Sequence, residues 1–167
     1  MIEKIYLDMD GVLCNFERRY FELYKELPGS MRDRKDFNLH WDHFIETKQF
    51  ETLDWYPGGK ELVMFCFEQD DIPVELLTSS GGIKNHEEVA RQKRVWLDTH
   101  GLSMLKANVV AGRKRKAEYA TPNTILIDDT TDVIQSFNAA GGIGILHKEI
   151  GNTLMMLQDR IASVLNT

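Results

Sequence analysis

No stretch of this 167-residue sequence approaches the roughly 20 consecutive apolar residues that a helix needs to span a bilayer, so no membrane-embedded segment is expected. The opening "MIEKIYLDMD" lacks the basic-then-apolar-then-small order of a secretory signal, which sets the expectation of a cytoplasmic protein. Cysteine is scarce. Cys14 and Cys66 stand in unrelated contexts with no CxxC spacing, so neither a disulfide framework nor a zinc site is indicated, and both read as reduced and packed. Basic residues do not predominate either: 20 Lys and Arg against 26 Asp and Glu give a net charge of -6. That balance argues against wholesale binding to a nucleic-acid backbone and leaves "RKRK" at 113–116 as a local exception. No internal repeat or low-complexity tract is present.

What is there, 43% hydrophobic and 28% charged residues, suits one compact domain with a real core. Short, nearly continuous apolar runs at 4–8, 74–79, 107–111, 124–128 and 143–146 read as strands buried on both faces. They alternate with helix-period segments from Gly59, over 86–100 with Gly101 as its stop, and from 131 to Gly141. A closing helix is expected from Thr153, with Leu154, Leu157, Ile161 and Leu165 on one face. This alternation is the signature of an α/β fold: a Rossmann-like, doubly wound parallel sheet covered by helices. One region breaks the rhythm. Residues 16–56 offer no strand and are dense in aromatics, so they read as a small helical cap inserted after the first strand, with 1–15 and 57–167 forming the core domain.

In an open parallel sheet, ligands bind outside the carboxyl ends of the strands, so the residues that end each strand point at the site. Here the first strand ends in Asp8 and Asp10, the second in Thr78 and Ser79, and the fourth in Asp128 and Asp129, with Asp132 shortly after. Singly, each aspartate also reads as a helix cap or a turn residue. Four carboxylates converging on one rim would repel one another and resist burial unless a cation neutralises them, and a hard divalent ion with oxygen ligands, Mg²⁺, answers that need.

"DMDGVL", a strand ending in "LLTSS", a lysine in "RKRKAEYA" and a strand ending in "IDDTTD" resemble, in this order, the four motifs of the haloacid dehalogenase superfamily of phosphotransferases. Further stretches, "DMDGVLCNF", "FETLDWYPGGKELV", "KRVWLDTHGL" and "LIDDTTDVIQSFNAAGGIGIL", are most similar to its 5'(3')-deoxyribonucleotidase group. The resemblance implies a Mg²⁺-dependent phosphomonoesterase with an aspartyl-phosphate intermediate. Asp8 would be the nucleophile and Asp10 the proton shuttle. Thr78, with Ser79 and Ser80, would bind the phosphoryl group, and Gly11 would let the chain turn and bring backbone N–H groups near it. Either Lys114 or Lys116 fits the interval before "IDD" as the motif lysine, with Lys116 preferred. Asp8, Asp10, Asp128 and Asp129 would hold the metal, Asp129 aligning better than Asp128 and Asp132 standing outside the immediate ligands. Most cap rings must form the cap's own core, leaving Phe16 and Trp41, with Phe44 behind them, as candidates to stack on a nucleobase.

The partner expected is therefore a small phosphomonoester, a deoxynucleotide by resemblance, with no membrane and no stable nucleic-acid partner. A sugar phosphate or another small phosphoester, a nucleic-acid end docked on "RKRK", and a phosphate-binding module without turnover are the competing readings. His40 and His43 show metal-ligand spacing but lie in the cap without a Cys or acidic partner pattern, and read as surface residues. Trp96, on an apolar helix face with Val89 and Leu97, reads as core.

Overall fold

A computed structural model describes residues 1–30 and 34–165 of the chain. Five parallel strands form one sheet: β1 (Lys4–Leu7), β2 (Val74–Ser79), β3 (Ala107–Val110), β4 (Thr124–Asp128) and β5 (Ile143–Leu146), in the order β3-β2-β1-β4-β5. Every pairing is parallel, with Leu7 level with Leu76 on one side and with Ile127 on the other. β1 and β3 each end one residue before the expected boundary.

Successive strand residues point to opposite faces, and both faces are apolar because both are covered. Ile5, Leu7, Leu76, Ile125 and Ile127 pack with side chains of α3 (Gly59–Phe67), α4 (His86–Thr99) and α6 (Ile150–Leu165). On the other face, Tyr6, Leu77, Leu126 and Val110 meet Val133, Ile134 and Phe137 of α5 (Thr131–Ala139), flanked by a 3-10 helix at Arg113–Tyr119. The chain winds outward from β1 to β3 and returns to β4, so the reversal in strand order falls between β1 and β4. The closing helix α6 starts three residues earlier than expected. Leu157 is buried, Leu154 and Ile161 are partly buried, and the side chain of Leu165 lies outside the described residues.

Between β1 and α3 the chain forms α1 (Phe16–Tyr24), α2 (Arg34–Glu46) and short 3-10 turns at Pro28–Ser30 and Gln49–Thr52. The segments that lead into and out of this helical part run side by side, with the Asn15 N–H donating to Asp54 O (2.9 Å) and the Tyr56 N–H to Leu13 O (2.7 Å). Its own core is aromatic: Phe16 packs against Tyr20, Trp41, Phe44 and Phe50. α4 seats it on the sheet. Trp96 Nε1 donates to Leu53 O (2.8 Å), Gln92 Nε2 to Ile45 O (2.8 Å), and Arg91 pairs with Glu51 (2.8 Å).

Trp96 is fully enclosed, and its N–H is one of the buried bonds that tie the helical insertion to α4. Trp96→Phe leaves the Leu53 carbonyl buried without that donor, which is expected to cost about 1–3 kcal/mol. Urea unfolding should show the midpoint falling with the slope m unchanged.

Candidate active site

The reversal in strand order puts the carboxyl ends of β1 and β4 side by side. Asp8 follows the last residue of β1, its N–H donating to Ile127 O (3.0 Å), and Asp128 ends β4. After Asp8 the chain coils tightly, with the N–H groups of Val12, Leu13 and Cys14 all converging on Met9 O. Gly11 makes this coil possible in two ways. Its φ is +80°, and a Cβ there would lie 2.0 Å from Asp129 Oδ2. The Asp129 carboxylate therefore rests against the bare Cα of Gly11. The Gly11 N–H itself donates to Cys14 O (2.9 Å) within the coil, and Gly11 lines the cavity.

Lys116, inside the 3-10 helix and only 3% exposed, reaches across the rim. Its Nζ donates to Asp8 Oδ1 (3.0 Å) and Asp128 Oδ2 (2.7 Å), which leaves one N–H with no partner among the described residues. Of the two candidate lysines this is the one that meets the carboxylates; Lys114 is exposed at the cavity mouth. Burial opposes the Lys116 charge, but Asp8 and Asp128 outweigh it and hold its pKa above the ordinary lysine value. The carboxylates are strained in the other direction. Burial first, then their neighbours' negative charge, pushes Asp8, Asp128 and Asp129 each up to about 6, with Lys116 partly offsetting this at Asp8 and Asp128.

Oxygens of Asp8, Asp128 and Asp129 lie within 4.8 Å of one another. Asp128 accepts at both oxygens, from Lys116 and from the Thr130 N–H (2.9 Å), and does not line the cavity. Asp8 and Asp129 do line it. The donor set is all oxygen, which suits a hard divalent cation such as Mg²⁺ and not a thiophilic metal. Asp8, Asp10, Asp128 and Asp129 against two buried lysines, Lys116 and Lys93, leave an excess of two negative charges, which one such ion would balance.

These groups form the floor of a cavity of 720 Å³ whose wall includes Phe16, Trp41 and Tyr56, with Arg113 and Lys114 at its mouth. Asp10, Gly11, Thr78 and Ser79 line it too. Two sequence expectations are corrected. Ser80 does not reach the cavity: it is fully buried, its hydroxyl 2.7 Å from His86 Nδ1 and donating to Gly82 O. Phe44 is likewise enclosed within the aromatic core and stays off the wall. Trp41 is held over the floor by Gly81, where a Cβ would come within 2.8 Å of its ring, and by Asp42 beside it, which pairs with Lys84 (3.0 Å). Asp132 pairs with Arg113 (2.8 Å) and Arg115 with Glu118 (3.5 Å), so two charges of "RKRK" are matched at the surface. His40 and His43 receive or donate hydrogen bonds at Tyr20 and Tyr24.

Sequence reasoning missed Lys93. This α4 residue is 1% exposed and its Nζ donates to Thr78 Oγ1 (2.5 Å), Ser79 O (2.9 Å) and Asp10 Oδ2 (3.2 Å), with the Phe50 ring 5.4 Å away. A signal was available, since Val89, Lys93 and Trp96 follow the i, i+4, i+7 spacing of a buried helix stripe that seldom admits lysine.

No family model and no curated protein matches the chain. Among solved structures it is similar to a hydrolase from Streptococcus pneumoniae TIGR4, at a TM-score of 0.52 and 15% identity over 95% of this chain and 100% of that one. That likeness is one of fold. No helix among the described residues is long and apolar enough to cross a membrane.

With their pKa raised from an ordinary 3.8 to about 6, Asp8, Asp128 and Asp129 take up protons in the folded chain between pH 4 and 6 that the unfolded chain does not. Their contribution to stability is thus greatest at the acid end of that window and declines as pH rises through 6. A divalent cation bound there would take the place of those protons. Thermal scans with Mg²⁺ against EDTA should show a gain in Tm at pH 7.5, corresponding to about 2.7 kcal/mol of added stability at a hundredfold excess over Kd, that shrinks toward pH 5. Asp129→Asn and Gly11→Ala should each abolish most of the gain.

Proposed function

We propose that the protein is a Mg²⁺-dependent phosphomonoester hydrolase that works through an aspartyl-phosphate on Asp8. The observation that carries this reading is the single rim on which Asp8, bound by Lys116, shares a cavity floor with Asp129 and Asp10. A hydrolase fold at low identity and the ordered motifs support it.

Asp8 Oδ1 is taken up by Lys116 and by the Met9 N–H (2.8 Å), while Oδ2 has no hydrogen-bond partner among the described residues. Oδ2 is the atom that attacks phosphorus. As the new P–O bond forms and the ester P–O bond breaks, Asp10 gives its proton to the departing alkoxide. In the second half Asp10, now a carboxylate, takes a proton from water while the water oxygen bonds to phosphorus and the acyl phosphate bond breaks, which frees phosphate and restores Asp8. The spare N–H of Lys116 and the Thr78 hydroxyl, which accepts from Lys93 and so turns its own proton elsewhere, donate to phosphoryl oxygens. Asp8, Asp129 and the Asp10 carbonyl, with Asp128 behind them, would hold a Mg²⁺ ion, which when bound would neutralise the phosphate and nucleophile charges.

The substrate we infer is a deoxyribonucleoside monophosphate. Phe16 and Trp41 offer ring faces on the wall above the floor, which favours a planar group without reading its edges.

A phosphate-release screen over nucleoside monophosphates and sugar phosphates tests both parts. Release should require Mg²⁺, and Asp8→Asn should fall to the level of buffer while its circular dichroism and melting remain those of a folded chain. Undiminished release by Asp8→Asn rules out the covalent route. Base stacking is worth about 1–3 kcal/mol, so Trp41→Ala should raise KM for a nucleotide roughly fivefold or more and leave that for a small sugar phosphate nearly unchanged.

A further inference from the structure

We propose that Lys93 is a positioning residue for proton transfer: it fixes the carboxyl of Asp10 in the orientation that protonates the leaving group. The proposal rests on the phosphomonoesterase reading above and adds to it a residue on a different element, α4.

An ammonium group has three N–H donors and no acceptor. In Lys93 all three are used, on Thr78 Oγ1, Ser79 O and Asp10 Oδ2, so it has none to offer a substrate. Lys116 differs, with two bonds made and one N–H open among the described residues. Lys93 is thus part of the frame, and what it frames is Asp10. The Asp10 side chain is 29% exposed, yet its Oδ1 is enclosed and without a partner. Exchange of a proton with the cavity therefore runs through Oδ2, the oxygen that Lys93 holds at 3.2 Å.

The Lys93 ammonium is itself immobilised. The Ser79 carbonyl at the end of β2 and the Thr78 hydroxyl grip it from the sheet, and Phe50 closes over it. Its stem leaves a helix whose neighbouring residues Gln92 and Trp96 are bonded to Ile45 and Leu53 of the insertion. Asp10 lies in the coil after β1 and has no such anchorage of its own side chain. Without Lys93 its carboxyl would have no charge partner, would be free to turn toward water in the cavity, and would lose its aim at the ester oxygen.

The test separates leaving groups. An alkoxide must be protonated as it departs; 4-nitrophenolate leaves without a proton. In the full-length chain with Mg²⁺, Lys93→Met should lower kcat/KM for a deoxyribonucleoside 5'-monophosphate about 100-fold and for 4-nitrophenyl phosphate less than fivefold. In an Asp10→Asn background, Lys93→Met should add almost nothing for either ester. Lys93→Gln, which keeps a neutral donor, should recover part of the loss, and it provides the same comparison if Lys93→Met does not fold. Equal losses on the two esters, additive losses in the Asp10→Asn background, or no loss at all overturn the proposal. A wild-type chain that releases phosphate from neither ester overturns the function on which it rests.

Discussion

Carboxylates crowded together out of water are the constraint around which this structure is arranged. Asp8 and Asp128 are almost wholly buried and Asp129 presses on Gly11, so each raises the cost of ionising the next. The fold meets this cost with cations from both sides of the sheet. Lys116 comes from the connection between β3 and β4, which packs on the face of Tyr6 and Leu126. Lys93 comes from the connection between β2 and β3, which packs on the face of Leu7 and Ile127. Two consecutive connections, one on each side, thus deliver one ammonium each to the same rim.

The element that brings Lys93 also seats the helical insertion. Along α4, Gln92 and Trp96 bind carbonyls of the insertion from buried positions, while the Arg91 pair with Glu51 is exposed and contributes little in water. Roof and floor are therefore referred to one helix.

How much of this was legible in the sequence follows from what kind of force fixes each feature. The five strands could be read almost to the residue because burial on both faces demands short continuous apolar runs. The meeting of Asp8 with Asp128 and Asp129 could be read because strand ends in a parallel sheet share one edge. The interval before "IDD" admitted Lys114 and Lys116 alike, and only the fold, which buries Lys116 against Asp8 and Asp128, separates them. Ser80 went differently, since a strand's end says which residue arrives at the rim and not where its hydroxyl finds a partner: His86 supplied that, from a contact no pattern announces. Phe44 was indistinguishable by composition from Phe16, and only the packing of α1 against α2 separates wall from core. Lys93 broke the apolar stripe of α4, a signal that marks a buried charge, but a helix stripe does not say which carboxylate such a charge will meet.

Asp10 Oδ1 is one of three buried side-chain polar atoms without a partner among the described residues, and a second, Gln92 Oε1, belongs to the neighbour of Lys93. Leaving a buried acceptor unpaired costs about 1–3 kcal/mol, and a stability-optimised chain would place a donor there or a neutral side chain at 10. The third, His147 Nε2, lies just after β5, while Trp96, Thr78 and Asn108 find partners inside the described residues. One of the three orphaned atoms thus falls on a carboxylate of the candidate site. Fixed donors on both Asp128 oxygens oppose the burial that raises its pKa, whereas a carboxyl held on a single oxygen leaves the other open. In the proposed reaction the half-bonded Asp8 and Asp10 would carry the chemistry, and the fully bonded Asp128 would hold the frame around them.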